Sequence, residues 1–494
     1  MFDISKFSSA MSQGYWMRWN EDVQNRIDRD IEANRKADGS FRIDGIPAGA
    51  EVKVEQTESE FIFGAHIFNF DQLGSDERNA KYKALYGTLF NSATIAFYWQ
   101  TLEPEEGKPR FRAEYRDTAD FWNRCPEPKL QPHWRRPAVD PVVDFCLSKG
   151  IRLHGHPLVW SSNRWQVPFW LFAKIPIDAL AKANFKRNPV NGTIENDATH
   201  AVFGDMSAEE FADKYPEYAA ELNAVVARRI MEIACRYGDK IDSWDVVNES
   251  ATDYGSGLMV PGSRICKAGC GPMPGDYTYR GFKIAESILP AHAKLNINDY
   301  NMGDEYLKQT RDLLKRGCKI DIMGAQMHLF DPQQCLDIAD GVSDNQSPAS
   351  VTETFERLGK AGLPIHLSEI TITAPHNDER GQAIQAVMMH NLYRLWFSLK
   401  PMMGITWWNV VDDCGAPGEP SVSGLFSRNM EPKPAYFAMN DLVNNTWKTR
   451  TCVKAGKNGE VEFRGFRGTY KLTWLDVSGK ECSKEVVLHK RRKK

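Results

Sequence analysis

The chain has 494 residues, of which 42% are hydrophobic and 26% are charged, and its formal net charge is −3. This composition predicts a globular protein with a large core, and the near-neutral charge gives no electrostatic reason to expect a nucleic-acid partner. No apolar run approaches the roughly 18 residues that a membrane-spanning helix needs, so we expect no membrane partner.

Residues 1–59 are predicted to form a small N-terminal appendage. Residues 15–36 place Ile27 and Ile31 on one face and charged residues on the other, which predicts a helix. Residues 40–56 then alternate between apolar and polar positions around the turn at Pro47 and Gly49. This alternation predicts a β-hairpin.

Residues 60–446 alternate between short apolar runs and helical patterns. The runs predicted as strands cover residues 60–66, 93–98, 151–156, 241–247, 295–299, 320–327, 364–369 and 404–410. Helical stretches lie between them, for example residues 208–237 and 306–316. Strands that alternate with helices indicate a parallel sheet, and eight such units predict an α/β fold of the (β/α)8 TIM-barrel type.

Residues 447–494 have a different pattern. Residues 459–488 alternate, with glycines at the turns, and this predicts a small antiparallel β unit. The unit could be a carbohydrate-binding module, but we favour a structural cap that packs on the N-terminal hairpin, because so few residues make only a small core. The basic residues 490–494 are typical of a solvated tail.

The ten cysteines are scattered, and the only close pair is Cys266 and Cys270. This pair is too small for a zinc site, which needs four ligands, so we expect no metal. Either a local disulfide or free thiols fit the spacing.

Two glutamates occur where predicted strands end. The run 241–247 leads into Asn248 and Glu249, and the run 364–369 ends on Glu369. In a (β/α)8 barrel the chemistry takes place at these strand ends. Paired carboxyl groups about 5–5.5 Å apart, one with a raised pKa as the acid and one as the nucleophile, are what a retaining glycosidase requires. The first stretch alone could equally be a helix-capping Asn248 followed by a solvated Glu249.

The runs Trp244–Glu249 and Ser368–Ile370 resemble the catalytic strands of glycoside hydrolase family 10, the xylanase family. The resemblance implies that Glu249 is the acid/base and Glu369 is the nucleophile. Ser368 and Ile370 stand where the family usually has Thr and Leu.

Other strand ends extend the resemblance from about residue 60 to residue 443. The run 154–160 is similar to the family's RGHTLVW strand, which implies that His156 donates to a sugar hydroxyl and that Trp160 walls the same subsite. The resemblance also assigns Asn248 to the sugar 2-hydroxyl, whose hydrogen bond strengthens in the transition state. His154 is assigned a structural role.

Three later strands match the family as well. Gln326 and His328 match its QxH strand, which implies that His328 orients the nucleophile. Asn298 lies in an NDYN run with a structural or subsite role. Trp408 and Asp412 match the closing tryptophan strand, where Trp408 would floor the sugar at the cleavage point. Each match alone is typical of a core residue, but together they occur in the family's chain order.

The second strand departs from the family. Its usual ENxxKW run, whose Asn and Lys bind a sugar towards the non-reducing end, is replaced by residues 94–99, with Tyr98 in place of the Lys. A tyrosine offers one hydroxyl and a stacking face instead of a charged donor. We therefore expect this subsite to be weakened, reshaped or blocked on plain linear xylan.

The resulting interpretation is a retaining β-glycosidase, an endo-1,4-β-xylanase-like hydrolase of xylan or a related β-linked plant polysaccharide, without metal or organic cofactor. Its partner is a polysaccharide or oligosaccharide substrate. Such enzymes need export, so we expect a secreted or periplasmic protein, although the start at Met1 and Phe2 is no signal peptide.

Two alternatives remain open from the residues. A metal-dependent hydrolase on the same barrel could bind a zinc ion through histidine nitrogens and a carboxylate at the strand ends. These are His154, His156, His328, His366 and Asp412. A non-catalytic glycan-binding protein is the other alternative, although both carboxyl groups are intact.

Overall fold

A computed structural model gives the structure of the chain and describes residues 2–115, 136–160, 166–180, 203–265, 275–416 and 419–489. The pair Cys266 and Cys270 and the basic tail 490–494 lie outside these residues. The strands, in chain order, are β1 (Lys36–Arg42), β2 (Glu51–Ser59), β3 (Ile62–His66), β4 (Ser92–Ala96), β5 (Arg152–His156), β6 (Val159–Trp160), β7 (Ser243–Asn248), β8 (Lys294–Asp299), β9 (Ile322–Leu329), β10 (Ile365–Ile372), β11 (Met402–Trp407), β12 (Arg450–Lys454), β13 (Glu460–Phe466), β14 (Gly468–Leu475) and β15 (Glu481–Leu488).

The predicted (β/α)8 barrel is confirmed. Strands β3, β4, β5, β7, β8, β9, β10 and β11 pair in parallel, and the pairing of β5 with β7 closes the ring. The short strand β6 adds to β7 beside this junction. Every residue of β4 and of β10 is buried, as expected for a parallel sheet that is covered on both faces.

Helices surround the barrel and cover it. The α-helices of the described residues are Gln13–Arg18, Glu21–Arg35, Asp76–Ala84, Trp99–Leu102, Val139–Ser148, Phe169–Phe172, Ile177–Leu180, Ala208–Lys214, Pro216–Tyr237, Ala251–Gly255, Tyr277–Ile288, Asp304–Lys315, Pro332–Ala339, Pro348–Gly359, Glu379–Ser398 and Pro434–Asp441. The helix Glu379–Ser398 buries fifteen of its residues because the N-terminal helices pack over it from outside.

The predicted helix over residues 15–36 is two helices. The first ends at Arg18 and the second begins at Glu21. Asn20 caps the second helix, since its side-chain oxygen accepts from the Val23 N–H at 3.1 Å. Asparagine is favoured as the N-cap of a helix, so a new helix begins after Asn20 and the first one does not continue through it.

The predicted N-terminal hairpin is wrong. Strands β1 and β2 both exist, but β1 pairs with β13 and β2 lies between β12 and β14. Two strands alone would be marginally stable, whereas C-terminal strands provide additional antiparallel partners. The two ends of the chain therefore form one β unit beside the barrel.

This β unit has a small core of its own. Its buried side chains come from both ends of the chain, for example Val52 and Val54 from β2 and Val461, Tyr470 and Leu472 from the C-terminal strands. The boundaries after residues 59 and 446 stay a prediction. In the described part of the chain, no helix combines the length and apolar character needed to cross a bilayer.

Candidate active site

Glu249 directly follows β7 and Glu369 lies on β10, and both strands are distorted just before these residues. The register of β7 against β8 shifts between Asp245 and Val247, and that of β10 against β9 shifts between Leu367 and Glu369. Such bulges re-aim the side chains that follow them. Strand β10 continues to Ile372, so Glu369 is not its last residue, contrary to the predicted strand end.

The backbone at Glu249 adopts an unusual conformation. Its φ is 56°, in the left-handed region that residues other than glycine seldom occupy. Such a conformation costs on the order of 1–3 kcal/mol and is found preferentially at functional sites. The Glu249 N–H donates to the Asn298 carbonyl at 2.8 Å, which fixes the turn immediately after β7.

The Glu369 carboxyl is surrounded by nitrogen atoms from neighbouring strands. The Asn298 amide donates to its Oε1 at 2.8 Å. The His156 Nε2 lies 3.7 Å from Oε1, and the His328 Nε2 lies 3.5 Å from Oε2. These contacts orient both oxygens of a carboxylate that is 5% exposed.

The Glu249 carboxyl has a different environment. Trp160 Nε1 donates to its Oε2 at 3.1 Å, and Gln326 Nε2 donates to its Oε1 at 3.2 Å. Burial and the negative charge of Glu369 raise the pKa of Glu249 to about 8, against the opposing hydrogen bond from Gln326. Glu249 therefore carries a proton at neutral pH and can act as a general acid.

A network of amides connects the two glutamates. Asn248 Oδ1 accepts from Asn298 Nδ2 at 2.9 Å and from Gln326 Nε2 at 3.3 Å. Ser368 Oγ donates to Asn298 Oδ1 at 2.5 Å and completes the bonding of that amide. Gly324 faces Asn298 so closely that a Cβ there would collide with it. The strands thus hold Asn298 in one orientation.

One donor in this network has no partner among the described residues. Asn248 is only 1% exposed, and its Nδ2 atom is buried without a hydrogen bond. A buried amide N–H without an acceptor is costly. A hydroxyl of a bound sugar is an acceptor that could complete it.

Asp245 links two histidines below the site. Its Oδ2 lies 2.8 Å from His154 Nε2 and 2.8 Å from His156 Nδ1. Burial alone would raise the pKa of Asp245, but the charge and hydrogen bonds of the two histidines hold it below its ordinary value. Burial likewise opposes protonation of His156, yet Glu369 and Asp245 raise the pKa of His156 above its ordinary value.

Asp245→Asn is expected to lower kcat/KM on an unactivated substrate by about tenfold to a hundredfold, the range for losing a charged hydrogen bond. The amide removes the negative charge that favours protonated His156, so the pKa of His156 should also fall. Kinetics combined with a histidine NMR titration would check both effects.

Asp242→Asn is the matched control, because the Asp242 carboxylate accepts from the Leu153 backbone N–H at 2.9 Å and not from His156. Unchanged titration of His156 in Asp245→Asn would contradict the assigned positioning role.

Aromatic side chains form the walls of the site. The Trp408 ring lies 5.6 Å from that of His156 and 5.3 Å from that of Phe68. The Tyr98 ring lies 5.5 Å from that of His156 and 5.8 Å from that of Trp160. Burial and the charge of Glu369 raise the pKa of Tyr98 well above its ordinary value, so its hydroxyl stays neutral.

The structure brings all nine predicted site residues together. The set comprises Glu249, Glu369, His156, Trp160, Asn248, Gln326, His328, Trp408 and Tyr98. The sequence interpretation did not identify Asp245 as the link between His154 and His156. A charged residue inside a buried apolar strand was the signal available for it.

The residues considered for a metal site do not converge. His366 bonds to Thr406 Oγ1 at 2.8 Å, and Asp412 forms a buried ion pair with Lys433 at 3.1 Å. Within the described residues, no group of three or more His, Cys, Asp or Glu side chains is arranged to hold a metal ion. His154 and His156 instead share Asp245.

Fold and site together define a (β/α)8-barrel protein with paired carboxyl groups of the kind that glycoside hydrolases use. The chain belongs to glycosyl hydrolase family 10, whose sequence profile matches residues 55–442.

Several relatives are similar to this chain. The exoglucanase XynX of Acetivibrio thermocellus is 25% identical over 313 residues, which are 61% of this chain and 24% of that protein. The endo-1,4-beta-xylanase A of Thermoanaerobacterium saccharolyticum is 26% identical over 311 residues, 61% of this chain and 22% of that protein. The chain thus spans only about a quarter of the length of these relatives.

A solved structure is similar in fold. It is xylanase 10B from Thermotoga petrophila in complex with xylobiose, which superposes with a TM-score of 0.52 at 19% identity. The match covers 78% of this chain and 95% of that one.

Proposed function

We propose that this chain is a retaining β-glycosidase that hydrolyses β-1,4-xylan or a related β-linked plant polysaccharide, as an endo-1,4-β-xylanase does. One observation carries the proposal: Glu249 and Glu369 share a buried amide network, in which burial and the charge of Glu369 raise the pKa of Glu249 to about 8. Membership of glycosyl hydrolase family 10 supports it.

In the first step Glu369 attacks the anomeric carbon while Glu249 gives its proton to the leaving oxygen. The bond from the anomeric carbon to that oxygen breaks, and an ester bond to Glu369 forms. The contacts of Asn298, His156 and His328 aim the Glu369 oxygens and keep the side chain from turning away. Trp160 and Gln326 hold the Glu249 carboxyl for proton transfer.

In the second step Glu249, now an anion, takes a proton from water. The resulting oxygen attacks the anomeric carbon, and Glu369 leaves as a carboxylate. The free N–H of Asn248 is proposed to bond the sugar 2-hydroxyl, and Trp408 to face the sugar at the cleavage point. His156, Gln326 and Tyr98 complete the proposed subsite.

Stereochemistry tests the proposal most directly. Incubation with xylan or xylo-oligosaccharides should release the β-anomer first, and the α-anomer should appear only by mutarotation. Proton NMR during the first minutes distinguishes the two. Initial release of the α-anomer would exclude the covalent intermediate, and no turnover of xylans, glucans, mannans or aryl xylosides would favour a non-catalytic glycan-binding protein.

Export belongs to the same proposal, because a polysaccharide substrate lies outside the cell. We propose a secreted or periplasmic location. Fractionation of the source cells with an antibody against the chain would test it.

The pH dependence should reflect Glu249. Its proton is needed for bond cleavage, so kcat/KM on xylo-oligosaccharides should fall as the pH rises through about 8 and lose about tenfold per further pH unit. A pH profile of kcat/KM measures this limb.

Two variants provide the controls for that profile. Gln326→Leu should move the limb to higher pH, because the hydrogen bond from Gln326 lowers the pKa of Glu249. Glu249→Gln, assayed with an aryl glycoside whose leaving group needs no proton, should lack the limb. A limb that persists in Glu249→Gln would belong to another group.

A further inference from the structure

Arg136 lies at the edge of the site, before the helix Val139–Ser148. Its guanidinium carbon is 4.7 Å from the ring centre of Phe68 and 5.5 Å from that of Tyr98. Both distances are within the range of cation–π attraction, so two aromatic rings hold the charge in place. The side chain is half-buried.

The backbone at Arg136 is anchored as well. Its carbonyl accepts from Arg110 Nη1 at 3.2 Å. The same Arg110 nitrogen donates to the Thr101 carbonyl at 3.2 Å, in the short helix that follows β4. Arg110 is 4% exposed, which makes it a structural bridge between the two segments. Arg136 is therefore positioned by the protein before any ligand binds.

No hydrogen bond or ion pair joins the Arg136 side chain to another side chain or carbonyl in the described part of the chain, and its Nη1 is buried without a partner. A guanidinium carries five N–H donors and is normally paired when it is this enclosed. The Glu419 carboxylate, whose charge also acts on Tyr98, accepts from Asn409 Nδ2 at 2.9 Å. The buried Nη1 of Arg136 thus has N–H donors free for an acceptor that the described residues do not supply.

Tyr98 connects this arginine to the catalytic pair. The Tyr98 ring packs against the rings of His156 and Trp160, and the Arg136 guanidinium lies over it. The charges of Glu369 and Arg136 both act on the Tyr98 hydroxyl.

We propose that Arg136, with Tyr98 and Phe68, forms a subsite for an anionic group on a sugar near the cleavage point, a uronic-acid carboxylate or a sulfate ester. A planar guanidinium binds either anion through two parallel N–H donors, whereas a neutral hydroxyl uses only one. The inference rests on the proposed function only for the sugar backbone to which the anion is attached.

Kinetics on matched substrates test the proposal. The substrates are xylo-oligosaccharides that carry a uronic acid, the same oligosaccharides after reduction of the carboxyl group to an alcohol, and sulfated xylo-oligosaccharides. The wild-type protein should prefer the uronate over its reduced form by about tenfold to a hundredfold in kcat/KM, and the preference should weaken with salt. The sulfated substrate shows which anion the site favours.

Variants assign the preference to the arginine. Arg136→Gln should lose the preference for the uronate, because its kcat/KM should fall much more on the uronate than on the reduced substrate. Arg136→Lys should keep part of it, because the charge remains without the paired donors. Arg112→Gln is the control, since that side chain is 70% exposed and forms an ion pair with Glu114.

Binding to Glu369→Ala by calorimetry separates this inference from the proposed function. A preference for the anionic oligosaccharide that depends on Arg136 supports the inference even if no xylan is hydrolysed. The inference is overturned if the wild-type protein does not prefer either anion, if no oligosaccharide binds, or if Arg136→Gln weakens anionic and reduced substrates equally.

Discussion

Replacing Glu369 with alanine is expected to lower kcat/KM by on the order of 10⁵-fold on every substrate, including activated aryl glycosides. The substitution removes the atom that bonds to the anomeric carbon, so no leaving group, however good, can restore the first step. Steady-state assays on a dinitrophenyl xyloside and on a xylo-oligosaccharide measure the loss.

Added azide provides the stereochemical control for Glu369→Ala. The small anion can occupy the space of the missing carboxylate and attack from the same face, which gives the α-glycosyl azide from a β-glycoside. Glu369→Gln is the matched variant, because its amide preserves the volume and can still accept from Asn298, which donates at 2.8 Å in the unsubstituted protein. A β-azide product, or comparable rates in the variants and the wild type, would assign the nucleophile elsewhere.

Replacing Glu249 with alanine is expected to lower kcat/KM on xylo-oligosaccharides by about 10²–10⁴-fold, the usual contribution of general acid catalysis. The loss should be much smaller on aryl glycosides with acidic leaving groups, because those need little protonation in the first step. The glycosyl-enzyme should then accumulate, since no base activates water. A pre-steady-state burst of the released phenol measures this accumulation.

Azide should accelerate turnover of Glu249→Ala and give the β-glycosyl azide, because it attacks the glycosyl-enzyme without needing a base. The opposite azide stereochemistry of the two alanine variants thus assigns both roles in one pair of experiments. Equal losses on activated and unactivated substrates, with no effect of azide, would contradict the role of Glu249.

The sequence predicted the barrel because parallel strands buried on both faces are short apolar runs, and helices with one apolar face separate them. It also predicted the members of the site. Side chains that follow different parallel strands meet at one end of a barrel, which placed Glu249 and Glu369 together, and the family resemblance added Asn248 and Gln326.

The long-range pairing of the strands could not be predicted from the sequence. The alternation in residues 40–56 is the same for a hairpin and for two strands that pair elsewhere. Strand β1 pairs with β13, more than 400 residues away, because the two chain ends together bury a core that neither builds alone. Which strand pairs with which depends on distant parts of the chain, and the local alternation of apolar and polar residues does not identify them.

The sequence by itself thus determined the barrel, through periodicity and strand order, and its resemblance to glycoside hydrolase family 10 indicated which residues surround the two carboxyl groups. Only the tertiary structure decided their chemistry. The positive φ of Glu249, the bulges in β7 and β10 and the pKa of about 8 depend on neighbours from other strands. Arg136 stands over Tyr98 through contacts made in three dimensions, and no spacing in the chain specifies them.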